Sequence, residues 1–139
     1  MCFLRLIVVK SKQRQQLDLP DRIAQVQGKI DEISFEIEKI QANSPVALPT
    51  ATIIRFRAKG SGGAYWYYKW QSPQRIFVTK NGNSSRYKYI GKAGSPAFNE
   101  AVEMYRNRTH ISSLQQVLHT LELARLDLVE ETARINERS

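Results

Sequence analysis

Between Phe56 and Tyr89 the chain carries nine of its thirteen aromatic residues, Phe56, Tyr65, Trp66, Tyr67, Tyr68, Trp70, Phe77, Tyr87 and Tyr89, interleaved with seven lysines and arginines. Residues of these types bind rather than react. Lysine and arginine neutralise phosphates and release their counterions, and arginine, lysine, tyrosine and tryptophan also reach base edges. The catalytic alternatives lack essential parts. A metal-dependent nuclease needs clustered carboxylates to hold its cations, yet no carboxylate side chain occurs between Glu38 and Glu100, and Glu100 and Glu103 read as helix-surface residues. His110 and His119 lie nine residues apart with no nucleophile and orienting acid in recognisable arrangement. Neither Gly60-Ser61-Gly62-Gly63 nor Gly91-Lys92 has the spacing of a phosphate loop. The expectation is a non-enzymatic protein with no cofactor, no metal and no small-molecule substrate.

The placement of charge sharpens this. The chain has 139 residues, a mass of 16.0 kDa and a net charge of +8. Residues 1–18 hold Arg5, Lys10, Lys12 and Arg14 against Asp18, while residues 19–43 and 96–139 are each slightly acidic, at −2. Residues 44–95 carry nine bases (Arg55, Arg57, Lys59, Lys69, Arg75, Lys80, Arg86, Lys88 and Lys92) and no acid. An ordinary protein surface mixes both signs, so a one-signed segment implies a polyanionic partner.

Two helices must position that segment. Leu19, Ile23, Val26, Ile30, Ile33, Ile37 and Ile40 step by 4, 3, 4, 3, 4 and 3, a heptad seam that predicts a coiled-coil helix over 19–43. Pro20 suits its first turn, Asn43-Ser44-Pro45 ends it, and Gly28 weakens it. A second seam runs through Ile111, Leu114, Leu118 and Leu121, and continues to Leu128 and Ile135 if Arg125 and Thr132 take seam positions. Ser95-Pro96 predicts the start of a helix whose Phe98, Ala101, Val102 and Tyr105 cover a sheet, with a bend near Thr109 or Ser112 left open by the pattern. The seams either pair with each other as an antiparallel hairpin or meet a second copy; a homodimer is favoured because Leu123, Leu126 and Val129 lie off the stripe.

The period between the helices is 2. Strands are predicted over Thr50–Lys59, Ala64–Trp70, Arg75–Lys80 and Ser85–Ile90, with turns at Gly60–Gly63, Gln71–Gln74 and Asn81-Gly82-Asn83. Alternation lets one sheet face be an aromatic core and the other basic. The expected fold is α+β: an antiparallel three- to four-stranded meander flanked by two long heptad helices. Its parts are a basic arm (1–18), a coiled-coil helix (19–43), a basic sheet-plus-helix module (50–108) and a C-terminal coiled-coil helix (109–139).

The run GGAYWYYKW, then RIFVTKNGNSSRYKYIGKAGS and PAFNEAVEMYRNR, over residues 62–108, resembles the three-stranded-sheet DNA-binding domains of the AP2-like and integrase arm-binding type. In that family an aromatic strand precedes a basic strand ending in Leu/Ile-Gly and then a Glu-Ala-rich helix, which Tyr89-Ile90-Gly91-Lys92 and Glu100-Ala101 match here. The resemblance implies DNA contacts from the exposed sheet face, by Lys69, Arg75, Lys80, Arg86 and Lys88. The same Tyr-rich strand and Tyr-Ile-Gly-Lys ending resemble short uncharacterised proteins of plasmids and phages, which implies a mobile-element setting and no activity.

The candidate nucleic-acid contacts are Arg55, Arg57, Lys69, Arg75, Lys80, Arg86, Lys88 and Lys92, with DNA favoured over RNA. The candidate coil seam is Ile23, Val26, Ile30, Ile33, Ile37, Ile40, Leu114, Leu118 and Leu121. In the competing reading the chain is an adaptor whose helices dock on a protein partner, with RNA or single strands stacking on Trp66 and Trp70. One cysteine, Cys2, excludes an internal disulfide, and the longest apolar run, Phe3–Val9 interrupted by Arg5, is too short for a membrane span. A cytoplasmic location is expected.

Overall fold

The computed structural model describes residues 18–138; the basic arm with Arg5, Lys10, Lys12 and Arg14 lies outside them. The described residues divide into two compact units, Glu38–Ser113 and a helical unit of residues 18–37 with 114–138. The secondary structure is α+β.

Helix α1 spans Leu19–Asn43. Asp18 caps it, its carboxylate accepting the Asp21 N–H at 3.0 Å. That bond holds the Asp18 carboxyl below its ordinary range, while a side-chain hydrogen bond with Asp18, and its charge, push the Asp21 carboxyl up. The last helix, α2, runs from Pro96 to Arg138 without interruption. Its start follows the expected rule, with the Ser95 hydroxyl accepting the Phe98 N–H at 3.2 Å. The proposed division at residue 109 is therefore not a break in the helix. Thr109 stays helical, its hydroxyl bonding back to the Tyr105 carbonyl at 3.0 Å, and Ile111 is buried.

In the helical unit the start of α1 lies beside the end of α2. Arg22 donates two hydrogen bonds to the Glu131 carboxylate, at 3.0 and 2.9 Å, and the two helices share a cleft lined by Val26, Ala124 and Leu128. The seams thus meet within one chain. Ile30, Ile37 and Leu128 are buried, and Val26, Ile33, Ile40, Leu114, Leu118 and Leu121 are half-buried. Two seam assignments change. Ile23 is 36% exposed, its place next to α2 taken by Arg22 and Val26, and Ala124 rather than Arg125 faces inward. A straight α-helix drifts about 20° per heptad from a strict 3.5 repeat, so the stripe turns away gradually along its length. Ile135, at the far end of that register, is exposed.

In the unit Glu38–Ser113, strands β1 (Thr52–Gly60), β2 (Gly63–Gln71) and β5 (Tyr87–Gly91) form an antiparallel sheet in the order β1-β2-β5. The expected strand Arg75–Lys80 shrinks to β3 (Phe77–Val78), which pairs with β4 (Ser84–Ser85) in a separate two-stranded ribbon. Non-local anchoring explains the change. Ser72 is 2% exposed; its N–H donates to the Arg86 carbonyl and its hydroxyl sits 2.6 Å from that of Thr50 and accepts the Gln74 N–H. Residues 73–85 therefore leave and rejoin the sheet as an excursion, closed by a turn in which Gly82 takes φ +79° and donates to the Thr79 carbonyl.

The core is small: Ala47, Ala51, Trp70, Phe77, Ile90 and Ala101, with Ile53, Tyr68, Ile76, Phe98 and Met104 around it. Alternation places Ile53, Tyr68, Trp70 and Ile90 on the sheet face that α2 covers. Trp70 lies over Tyr105, with centroids 6.4 Å apart, and Tyr68 meets Phe98 edge-on at 4.8 Å. The linker after α1 is tied to the same helix. Asn107 donates to the Pro45 carbonyl, Arg108 to that of Leu48, and the Ala47 N–H to the Met104 carbonyl.

Candidate nucleic-acid interface

The register of β1 on β2 sorts every sheet residue to a face. Ile53, Arg55 and Arg57 oppose Trp70, Tyr68 and Trp66, whereas Ile54, Phe56 and Ala58 oppose Lys69, Tyr67 and Tyr65. On β5, Lys88 opposes Trp70, and Tyr89 opposes Lys69. The face toward α2 therefore carries Trp66, Tyr68, Trp70, Arg55, Arg57 and Lys88. The open face carries Phe56, Tyr65, Tyr67, Lys69, Tyr87 and Tyr89.

This corrects the expected division into an aromatic face and a basic one. Both faces are aromatic. Helix α2 presents one apolar stripe and can cover only one face, and three tyrosines at least 40% exposed, Tyr65, Tyr87 and Tyr89, remain on the other. The alternation Tyr65/Trp66/Tyr67/Tyr68 already placed rings on both sides of β2; what the sequence did not indicate was which side would be left open.

The cations group in three places. Along the middle of β1 the Arg55 guanidinium lies 4.2 Å from the Trp66 ring centroid and that of Arg57 5.4 Å, so Trp66, 46% exposed, is held under arginine. On the open face Lys69 Nζ lies 4.3 Å from the Tyr87 centroid and 4.8 Å from Phe56, and Lys92 Nζ lies 4.9 Å from Tyr65 and 5.8 Å from Tyr67. Beside β4, Arg75 and Arg86 line a shallow cleft with Ser84, Ser85 and Tyr87. Lys80 stands at the exposed tip of the ribbon, and Lys88 shares a cleft with Glu100 and Met104 on the α2 side.

Of the residues that the resemblance placed on one exposed sheet face, only Lys69 is in the open-face cluster. Lys88 points to the other side, and Arg75 and Lys80 belong to the excursion. Trp70, at 6% exposed, is core and offers no surface for stacking. In contrast, the described ion pairs join helical residues: Arg22–Glu131, Lys29–Glu32, Arg106–Glu103 and Arg134–Glu130. In the sheet Arg55, Arg57, Lys69 and Lys92 meet aromatic rings instead of carboxylates.

Among the described residues no group of three metal-ligating side chains is assembled, and no helix is long and apolar enough to cross a membrane. Comparison with protein-family models, with curated proteins and with solved structures finds no match to the chain.

Proposed function

We propose that this chain is a non-enzymatic nucleic-acid-binding protein of the cytoplasm that grips phosphates with the cations of its sheet unit and associates as a dimer through its helices. The carrying observation is electrostatic. The nine bases of residues 44–95 have no acid in their own segment, and Arg55, Arg57, Lys69 and Lys92 lie over rings. A cation over an exposed ring is stabilised by only about 0.5–1 kcal/mol and keeps its charge available. A phosphate can therefore add to these sites without displacing an ion pair.

Duplex DNA is the partner implied by the likeness to three-stranded-sheet DNA-binding domains, with a dimer setting the spacing of two contact sites. The exposed tyrosines of the open face favour a second reading, single strands. A gel-shift series with one sequence as duplex DNA, single-stranded DNA and RNA tests the proposal. Retardation of at least one form at low salt is expected; no retardation of any form, with a protein partner co-purifying, would replace it with the adaptor reading.

A further inference from the structure

If the sheet unit binds nucleic acid, its two faces are not equivalent toward duplex and single strand. Resting on that reading, we infer that the open sheet face, Phe56, Tyr65, Tyr67, Tyr87 and Tyr89 with Lys69 and Lys92, stacks the unpaired bases of single-stranded nucleic acid.

Three observations carry this. First, three of the rings form one patch, to which Lys69 and Lys92 link Tyr87 and Tyr65. Phe56, Tyr67 and Tyr89, one from each strand, are mutual neighbours with centroids 5.8, 6.1 and 6.5 Å apart, and Tyr89 is 63% exposed. Their planes are inclined at 31°, 46° and 72°, so no pair closes face to face; Tyr89 offers the open ring, with half-buried Phe56 and Tyr67 beside it under Lys69 and Lys92.

Second, the spacing suits separated bases. Successive nucleotides of a duplex strand rise about 3.4 Å, roughly half the distance between these rings. A duplex keeps its base faces stacked on one another and offers a sheet only edges and backbone. A single strand can part its bases and lay each on a ring, at a gain of about 1–3 kcal/mol per base.

Third, the charges choose the occupant. Lys69 and Lys92 are set among the rings, where a backbone running beside stacked bases would bring its phosphates. A second copy using the same face would set lysine against lysine with no carboxylate between them. An apolar peptide would leave both cations unmatched.

The test uses the full chain and labelled 20-nucleotide DNA and RNA single strands, with the matching duplex in parallel, followed by fluorescence anisotropy. Tyr89→Leu and Tyr67→Leu keep an apolar side chain on the strand but remove the ring. Each is expected to weaken single-strand binding about tenfold, leaving its salt dependence and the duplex affinity unchanged. Lys69→Gln is expected to lower the single-strand salt slope by about 0.7. Circular dichroism identical to that of the parent shows that the variants fold; for a variant that does not, Tyr89→Phe, which keeps the ring, must bind like the parent. Single-strand affinity unmoved by losing these rings, or duplex binding weakened equally, overturns the inference while leaving nucleic-acid binding intact. Failure of every nucleic acid to bind overturns both.

Discussion

Single residues in this protein mostly act by directing the chain, and Ser72 shows how. Its hydroxyl serves Thr50 and Gln74, while its N–H holds Arg86, so one buried serine fixes both ends of the excursion between β2 and β5. Ser72→Ala removes two hydrogen bonds whose partners, Thr50 and Gln74, are exposed and can turn to water, and is expected to cost about 0.5–1.5 kcal/mol per bond in urea denaturation. Phe77, which the excursion delivers to the core, should cost about 3–5 kcal/mol as Phe77→Ala. Gly91 is a different case. Its φ of +137° excludes most side chains, and a Cβ there would stand 3.3 Å from the Ser95 hydroxyl that caps α2. Gly91→Ala should lower the melting temperature, whereas Gly94→Ala, where no atom lies within 4 Å of the added carbon, meets only the strain of its own positive φ.

At the scale of elements, the helices were legible because their signals are local. Pro20, Asn43-Ser44-Pro45 and Ser95-Pro96 mark ends by their own backbone chemistry, and the bounds Leu19–Asn43 and the start at Pro96 follow. Gly28 has open space around it, so Gly28→Ala should stabilise the helical unit by about 0.5–1 kcal/mol. The strand pairing was less legible. Pattern shows that Arg75–Lys80 alternates, but whether it joins β2 depends on Ser72 and Phe77 finding partners elsewhere in the sequence. The same holds for Arg22, a charged residue beside an apolar seam, whose place became clear only with Glu131 opposite. Arg22's hydrogen bonds hold the Glu131 carboxyl below the usual glutamate range and raise the arginine. A depressed folded pKa stabilises above the unfolded value and is lost as pH falls through the folded one. Parent and Glu131→Gln should therefore differ slightly in melting temperature near pH 7, and the gap should close below about pH 4, as thermal melts across that range can show.

The whole molecule joins a small aromatic core and a one-signed sheet to long, slightly acidic helices. The site was legible as a composition, rings and bases without acids, but not as a geometry, since that depends on which face α2 covers. Helices whose seams already meet within the chain leave Leu123, Leu126 and Val129 exposed, and the proposed dimer would use them. Sedimentation equilibrium should give about twice the 16.0 kDa chain mass, returning to one chain for Leu123→Asp with Leu126→Asp; a monomeric parent would rule out the dimer.

The central claim, that the cations of residues 44–95 are left for a phosphate backbone, is tested most directly by salt. Binding constants for a fixed oligonucleotide should fall at least tenfold between about 50 and 200 mM salt, the drop shrinking in Arg55→Ala with Arg57→Ala. Affinity that stays level across that range would contradict it.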